Sequence, residues 1–331
     1  MGRTKKSDTI SIVIPTKNRV DNVFECVRSI QRQTILPDEL VIVDASDSKE
    51  LEQLLETYCS EHDFAIIYTH SNSGTAKGRN IGAQISSGDI ILFVDDDVIL
   101  DTNYIKEIMA IFGNTSFERV GCVYGAQIPV NTRNEKENNN ASNGSKILQA
   151  IYKAIYTSTC WLFFLQKPSK HGRFRLSGLA TYPSSDVATI IETESASSAY
   201  LACYKDVFNE FRFDENLERY AWGEDDDLTY RVSRKYKIIF TPEAKVTHKV
   251  SRASRISTYE YNRVRIENHF YIFRKNFPQA LRNRFAFGMS VLGLFLISLE
   301  YAIIHLDWQG VRGFFDGLRA VHEKKARISS A

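Results

Sequence analysis

The sequence has few cysteines and little net charge for a chain of 331 residues. Its five cysteines are scattered and form no Cys-x-x-Cys pair, so neither a disulfide framework nor a zinc knuckle is indicated, and we expect a reducing compartment. A formal net charge of +2 argues against a general nucleic-acid binder, and we expect no nucleic-acid partner. The sequence also lacks a P-loop, a Gly-x-Gly-x-x-Gly fingerprint and an apolar signal-peptide segment.

The first hundred residues alternate short apolar runs with helical patterns. Helices are predicted at Val20–Gln33, Glu50–Ser60 and Ala76–Ser86, and a later one begins at Glu224. Strands are predicted at Ile10–Ile14, Glu39–Asp44, Ala65–Tyr68 and Ile90–Val94, and later near Ser198–Tyr204 and Lys237–Phe240. Strands that alternate with helices predict a parallel sheet covered on both faces, with ligands bound beyond the carboxyl ends of the strands.

Three consecutive carboxylates, Asp95, Asp96 and Asp97, follow the fourth of these strands directly. Such neighbours repel one another and resist desolvation unless a hard cation neutralises them. Mg²⁺ or Mn²⁺, held by one or two of the carboxylates and by a substrate diphosphate, fits this arrangement. A solvated acidic turn is the alternative that the pattern leaves open.

A second group of acids, Glu224 to Asp227, follows the turn Trp222-Gly223 at the start of a predicted helix. The helix dipole favours acids in a first turn, so a plain N-terminal acidic cap is one interpretation. The other is a carboxylate presented to a substrate sugar as a general base. His248 follows the segment 237–247 and could serve as a metal ligand, although a lone histidine is more often structural.

Five motifs occur in an order that resembles the family 2 glycosyltransferases of GT-A fold, over about residues 8–250. They are Ser11–Arg19, Val41–Asp44, Gly78–Gly82, Phe93–Asp97 and Trp222–Asp225. The resemblance implies an α/β fold with a Rossmann-like mixed sheet and helices on both faces. It also implies an inverting displacement that moves a sugar from a nucleotide diphosphate, UDP or dTDP being expected, to an acceptor hydroxyl.

The resemblance also implies roles for individual residues. Asp97 and His248 would bind Mn²⁺ or Mg²⁺, and Asp225 would be the catalytic base with Glu224 beside it, although these two acids could exchange roles. The remaining matched residues would bind the nucleotide sugar: Pro15, Thr16, Asn18, Arg19, Asp44, Arg79, Asp95 and Asp96. The polar run Asn131–Gly144 is predicted to be a mobile loop that orders over the donor.

The region after residue 250 differs in character from the region before it. Phe285–Leu306 is predominantly apolar and, as a helix, would be about 33 Å long, enough to cross a bilayer. Because basic residues flank it on both sides, we favour a helix that lies in one leaflet and pairs with Trp308–Val321 over one that spans, with a buried core helix as the alternative. Basic residues between Lys249 and Arg284 suit anionic lipid headgroups or phosphates, with a solvated helix face as the alternative; they include Arg263, Arg265, Arg274, Lys275 and Arg282.

These features divide the chain into a catalytic region, 1–250, and a basic, apolar helical region, 251–331. The second region is similar to the tails of bacterial members that build cell-surface polysaccharides. That similarity implies a glycan or lipid-linked acceptor and a place on the cytoplasmic face of the cell membrane.

Two other functions are compatible with parts of the sequence. One is a membrane-bound scaffold of the same fold without turnover. The other is a haloacid-dehalogenase-like phosphohydrolase, suggested by Asp95-x-Asp97, although Val98-Ile99 follows where Gly-Thr is expected.

Overall fold

A computed structural model describes residues 8–58, 64–129, 154, 156–166, 168–184, 186–217, 222–249 and 256–329. It contains two compact units, which we call the first unit (Met1–Ile128 with Ser185–Ser251) and the second unit (Pro129–Ser184 with Arg252–Ala331). The predicted loop Asn131–Gly144 lies outside the described residues. The predicted division into a catalytic domain, residues 1–250, and a helical region, residues 251–331, stays a prediction.

The strands and helices of the first unit follow one another in the predicted alternation. Its strands are β1 (Ile10–Thr16), β2 (Glu39–Asp44), β3 (Ala65–His70), β4 (Ile90–Val94), β5 (Val98–Leu100), β6 (Val120–Ile128), β9 (Ile191–Thr193), β10 (Tyr200–Tyr204) and β11 (Lys237–His248). Its helices are α1 (Val20–Gln31), α2 (Glu50–Tyr58), α3 (Thr75–Ile85), α4 (Tyr104–Phe112), α5 (Lys205–Phe211) and α6 (Glu224–Ser233). In the second unit, β7 (Pro168–Ser169) pairs with β8 (Tyr182–Pro183).

In the described part of the first unit the strands form one nine-stranded sheet in the order β3-β2-β1-β4-β10-β6-β11-β5, with β9 paired to β11. The half from β3 to β4 is parallel, as the alternation predicted. The other half is mixed, because β10 runs antiparallel to both of its neighbours. Every residue of β2 and β4 is buried, so the centre of the sheet is covered on both faces. The mixed α/β fold expected from the resemblance is confirmed.

Strand β11 is longer than the predicted strand Lys237–Phe240 and ends at His248. Its parallel pairing with β6 is interrupted between Thr241 and Lys245, around Pro242, which has no N–H to donate. At this irregularity the carbonyl of Ala244 approaches Gly125 so closely that a Cβ there would lie 1.9 Å from the oxygen. Pairing resumes beyond it and carries the strand to His248, opposite Val98 of β5.

Among the residues that the structure describes, the second unit contains three long helices, α7 (Thr258–Asn276), α8 (Leu281–His305) and α9 (Gln309–Ser329). Among the described residues, α8 alone has the length and apolar composition of a membrane-crossing helix. The predicted apolar helix and its successor are therefore present. One prediction about the basic stretch is wrong: Arg265 is only 9% exposed and donates to Asn262 at 2.6 Å, so it does not face lipid headgroups.

Candidate active site

The carboxyl ends of β1 and β4 and the end of β11 bring polar side chains together in the first unit. Asp95, Asp96 and Asp97 follow β4, and the antiparallel pairing of His248 with Val98 places the imidazole beside this turn. Nε2 of His248 lies 2.9 Å from a carboxylate oxygen of Asp97. Two segments that are far apart in the sequence thus meet at one edge of the sheet.

Asp95, Asp97 and His248 form a set of ligand atoms suited to a divalent cation. One oxygen from each aspartate and one ring nitrogen all lie within 4.8 Å of one another. Burial acts to lower the pKa of His248, but the hydrogen bond and charge of Asp97 and its acidic neighbours raise it above its ordinary value. Two carboxylates and an imidazole are ligands that Mn²⁺ accepts. The sequence singled out Asp97 and His248, and the structure adds Asp95 to them.

Asp96 is directed to β1 rather than to this set of ligand atoms. Its carboxylate accepts from the hydroxyl of Thr16 and from Nη1 of Arg19, each at 2.7 Å. The same Nη1 lies 3.6 Å from Asp97. Burial raises the pKa of Asp96 to about 6, although Arg19 and the hydrogen bonds act against it. Arg19 therefore offsets part of the negative charge at this turn.

Arg79 joins the turn after β4 to the acidic start of α6. Its guanidinium is 2% exposed, with Nη2 at 2.6 Å from Asp95 and Nη1 bonded to Glu224. Burial acts to lower the pKa of Arg79, but the charges of Glu224 and Asp95 raise it above its ordinary value. Helix α3 thus supplies one cation that holds carboxylates of both acidic motifs at a single place.

The four acids at the start of α6 have different surroundings. Gly223 precedes the helix with φ of 82°, a left-handed conformation that favours glycine. Glu224 is held by Arg79, and Asp227 by Arg231 at 2.6 Å. Asp225 is half-buried and accepts from the backbone N–H of Asp226 at 2.9 Å. In the described part of the chain no cation lies within ion-pair distance of Asp225, which distinguishes it from Glu224.

Desolvation makes both candidate bases stronger than ordinary carboxylates. Burial raises the pKa of Glu224 to about 7 in spite of Arg79, and one of its oxygens, Oε2, has no hydrogen-bond partner. Burial also raises the pKa of Asp225. Tyr200, at the start of β10, has a pKa raised to about 12 by burial and then by the charge of Asp225. Sequence reasoning did not identify Tyr200, because an aromatic residue at the start of a strand is an ordinary core residue.

A separate cluster at the ends of β1 and β2 contains Pro15, Asn18 and Asp44, which the resemblance assigns to nucleotide-sugar binding. Asp44 is fully buried and accepts from the backbone N–H of Ser46 at 2.8 Å and from the hydroxyl of Tyr68 at 3.0 Å. Asn18, with φ of 56°, donates its N–H to the hydroxyl of Ser46 at 2.7 Å. Pro15 is half-buried beside Val43. Neither Ser46 nor Tyr68 carried a signal in the sequence.

Comparison with known proteins agrees with this geometry. Residues 11–170 match the model of glycosyl transferase family 2. A curated relative from Bacillus subtilis, the uncharacterized glycosyltransferase YwdF, is 38% identical over 98 residues, which are 30% of this chain and 36% of the relative. The matched stretches cover between 17% and 36% of the lengths of the curated relatives.

Solved structures share the fold over nearly the whole chain. The mannosyltransferase PcManGT of Pyrobaculum calidifontis, in complex with GDP-Man and Mn²⁺, has a TM-score of 0.56 at 13% identity, covering 96% of this chain and 87% of that one. S. aureus TarS 1-349 with UDP-GlcNAc has a TM-score of 0.56 at 15% identity, covering 95% and 81%. At such identities the likeness shows the fold, and it confirms the expected GT-A architecture.

Proposed function

We infer that this chain, whose residues 11–170 match the model of glycosyl transferase family 2, moves a sugar from a nucleotide diphosphate to an acceptor hydroxyl with the help of a divalent cation. The observation that carries the proposal is the position of Arg79 between Asp95 and Glu224. Through these two contacts Arg79 brings the turn after β4, where a cation would bind, next to the carboxylates of Glu224 and Asp225. Glycosyl transfer from a diphosphate uses both a cation and a carboxylate base.

Asp225 is the better candidate for the base. Arg79 forms an ion pair with Glu224, whereas Asp225 is half-buried and has no such partner among the described residues. The raised pKa of Asp225 makes its carboxylate a stronger proton acceptor than that of an ordinary aspartate. Its carboxylate takes the proton of the acceptor hydroxyl as that oxygen bonds to the anomeric carbon. The bond from this carbon to the diphosphate oxygen breaks on the opposite face, so the configuration inverts and the nucleoside diphosphate leaves.

Asp95, Asp97 and His248 would hold Mn²⁺ or Mg²⁺. A bound cation stabilises the negative charge that develops on a diphosphate leaving group. PcManGT was solved with GDP-Man and Mn²⁺, which supports this part of the proposal. Because the cation needs an unprotonated imidazole and the pKa of His248 is raised, metal affinity should fall as the solution becomes mildly acidic.

The finer parts of the proposal concern the substrates and the location. We propose that Thr16, Arg19 and Asp96 contact the donor near its phosphates, and that Pro15, Asn18 and Asp44 lie near a pyrimidine base of UDP or dTDP. The acceptor is a glycan or a lipid-linked sugar on the cytoplasmic face of a membrane. The apolar length of α8 supports the membrane location.

The test is hydrolysis of a panel of nucleotide sugars by the purified full chain with Mn²⁺, Mg²⁺ or EDTA. We expect release of one nucleoside diphosphate that EDTA abolishes and either cation restores. Asp97→Asn should weaken the apparent affinity for Mn²⁺, read from the cation dependence of hydrolysis, by at least about tenfold. The control, Asp101→Asn, alters an exposed carboxylate and should leave this affinity unchanged. Hydrolysis that is equally fast in EDTA would exclude the metal, and release from no nucleotide sugar would exclude the transferase.

A further inference from the structure

Helix α8 has an unusual distribution of polar and apolar side chains. Its exposed face carries large apolar residues spaced by four and seven positions along the whole helix: Leu281, Phe285, Leu292, Leu296 and Ile303. Its buried face carries polar residues among the apolar ones, namely Asn283, Ser290 and Ser298. A helix on a water-facing surface has the opposite arrangement, with polar side chains exposed and apolar ones buried. An exposed apolar face of this extent indicates an interaction surface.

The helices next to α8 exclude a membrane-crossing orientation for it. Helix α7 runs beside α8, with Phe273 stacked on Phe287 at 4.2 Å at one end and Asn262 accepting from Ser298 at 2.8 Å further along. Helix α7 carries six charged residues in 19, so it cannot enter the hydrocarbon.

Helix α9, which follows α8, also packs against α7. The hydroxyl of Tyr259 donates to Asp316 at 3.0 Å, and a Cβ at Gly313 would lie 2.0 Å from the carbonyl oxygen of Tyr259. The helices before and after α8 are therefore in contact. A spanning α8 would place them on opposite sides of the bilayer.

A cavity of about 390 Å³ lies at the N-terminal end of α8. Three aromatic rings and three polar side chains line it: Phe270, Phe273, Phe287, Arg274, Gln279 and Arg284. Both arginines are exposed, and in the part of the chain that the structure describes no carboxylate lies within ion-pair distance of either. The helix begins after Ala280 without a side-chain cap, so its first N–H groups add positive potential there.

We propose that α8 lies in the plane of an anionic bilayer, apolar face inward, and that this cavity binds the phosphate of an anionic phospholipid headgroup, whose charge is not offset by a choline cation. The two guanidinium groups recognise the phosphate, and the three aromatic rings that line the cavity accept the apolar part of the same molecule. The charge of the arginines is complementary to that of the lipid, and Arg284, which lines the cavity, is the immediate chain neighbour of Phe285 on the apolar face. The inference rests on the proposed membrane location and deepens it by naming the ligand.

The test is flotation of the full-length chain with vesicles of phosphatidylcholine alone or mixed with phosphatidylglycerol. We expect binding to be stronger with the anionic lipid. Arg274→Gln with Arg284→Gln should lower binding to the mixed vesicles by roughly 25-fold, if each basic group contributes its usual amount near such a surface. Binding to phosphatidylcholine alone should change little.

The matched control is Arg312→Gln with Arg319→Gln, which removes the same formal charge from the same unit. Both of these arginines are already paired with Asp316, so we expect a loss of less than about threefold. Equal losses in the two double variants would show that charge alone attracts the membrane and would overturn the headgroup site. Unchanged binding of the Arg274 and Arg284 variant would overturn it too.

The apolar face is tested separately by Leu292→Gln with Leu296→Gln. This variant should lose binding to both kinds of vesicle, since the apolar contact does not depend on lipid charge. Its control is Ile35→Gln with Leu54→Gln, two residues of the first unit that are each 43% exposed. Wild-type protein that floats with neither vesicle would refute the membrane location and the headgroup site together, while donor hydrolysis, measured without vesicles, tests the transferase independently.

Discussion

His269 is a residue of α7 that packs against α8 in the second unit and is 1% exposed. Its Nε2 is 2.9 Å from the hydroxyl oxygen of Ser290, which donates its own proton to the carbonyl of Phe287 at 2.7 Å. The imidazole is therefore the donor of this pair and is neutral, with its proton on Nε2. Burial, followed by the positive charge of Arg265, lowers the pKa of His269 to about 3.

The size of the resulting pH effect follows from the two pKa values. The unfolded chain binds a proton at this imidazole below an ordinary pKa of about 6.5, whereas the folded protein stays neutral down to about 3. A group with a lowered folded-state pKa contributes its stability above the unfolded value and loses it as the pH falls. At pH 5 the free energy of unfolding should be lower by about 2 kcal/mol, from about 1.5 pH units at about 1.36 kcal/mol each.

The assay is hydrogen exchange of the backbone amides of α7 and α8, which reports the opening free energy of these helices. The wild-type chain is compared with His269→Gln, which keeps a donor for Ser290 and cannot ionise. Between about pH 7.5 and pH 5, the wild-type opening free energy should fall by about 2 kcal/mol more than that of the variant. A difference between the two that stays constant over this range would refute the reasoning.

Three further predictions concern the first unit. Asp225→Asn should lower kcat by roughly 10²–10⁴-fold with little change in donor KM, because the amide oxygen still accepts from the N–H of Asp226; steady-state kinetics with near-normal kcat would contradict the role. Arg79→Met should lower the free energy of unfolding by about 3–5 kcal/mol, since it leaves the carboxylates of Asp95 and Glu224 without the cation that they share; an unchanged urea midpoint would contradict this prediction. Asp44→Asn should lower the free energy of unfolding by about 1–3 kcal/mol in the same assay. The two oxygens of Asp44 accept from Ser46 and from the Tyr68 hydroxyl, whereas an amide has only one oxygen that can accept.

The positions at the ends of the parallel strands could be predicted from the sequence. Thr16, Asp44 and Asp95 each end or follow an apolar run, and the pairing of Thr16 with Asp44 aligns the first two ends. Strand identity and direction follow from local patterns, and the sheet then places the ends at one edge. His248 was only a weak candidate from its position in the sequence, since the local pattern ends the strand at Phe240, and the resemblance supplied its role as a metal ligand.

Other features depend on contacts that a linear sequence does not display. The extension of β11 past Pro242 depends on the glycine at position 125 of β6, which lets the carbonyl of Ala244 approach. The burial of Arg265 depends on Asn262 and on Ser298 of the next helix. In each case a contact with a distant segment determines the structure. The residue type alone predicts the opposite, namely a strand that ends at Pro242 and an arginine that is exposed.

The choice between Glu224 and Asp225 as the base also depends on a contact with a segment that is distant in the sequence. The two residues are adjacent and chemically alike, so the sequence alone leaves their roles exchangeable. Arg79 separates them, because it binds Glu224 and Asp95 together and leaves Asp225 without a cation among the described residues. A carboxylate fixed by a buried guanidinium is suited to hold the two acidic motifs in register, and its neighbour is suited to accept a proton. Glu224→Gln should therefore disturb stability and catalysis together, whereas Asp225→Asn should change kcat with the unfolding midpoint intact, and the reverse pattern would exchange the two assignments.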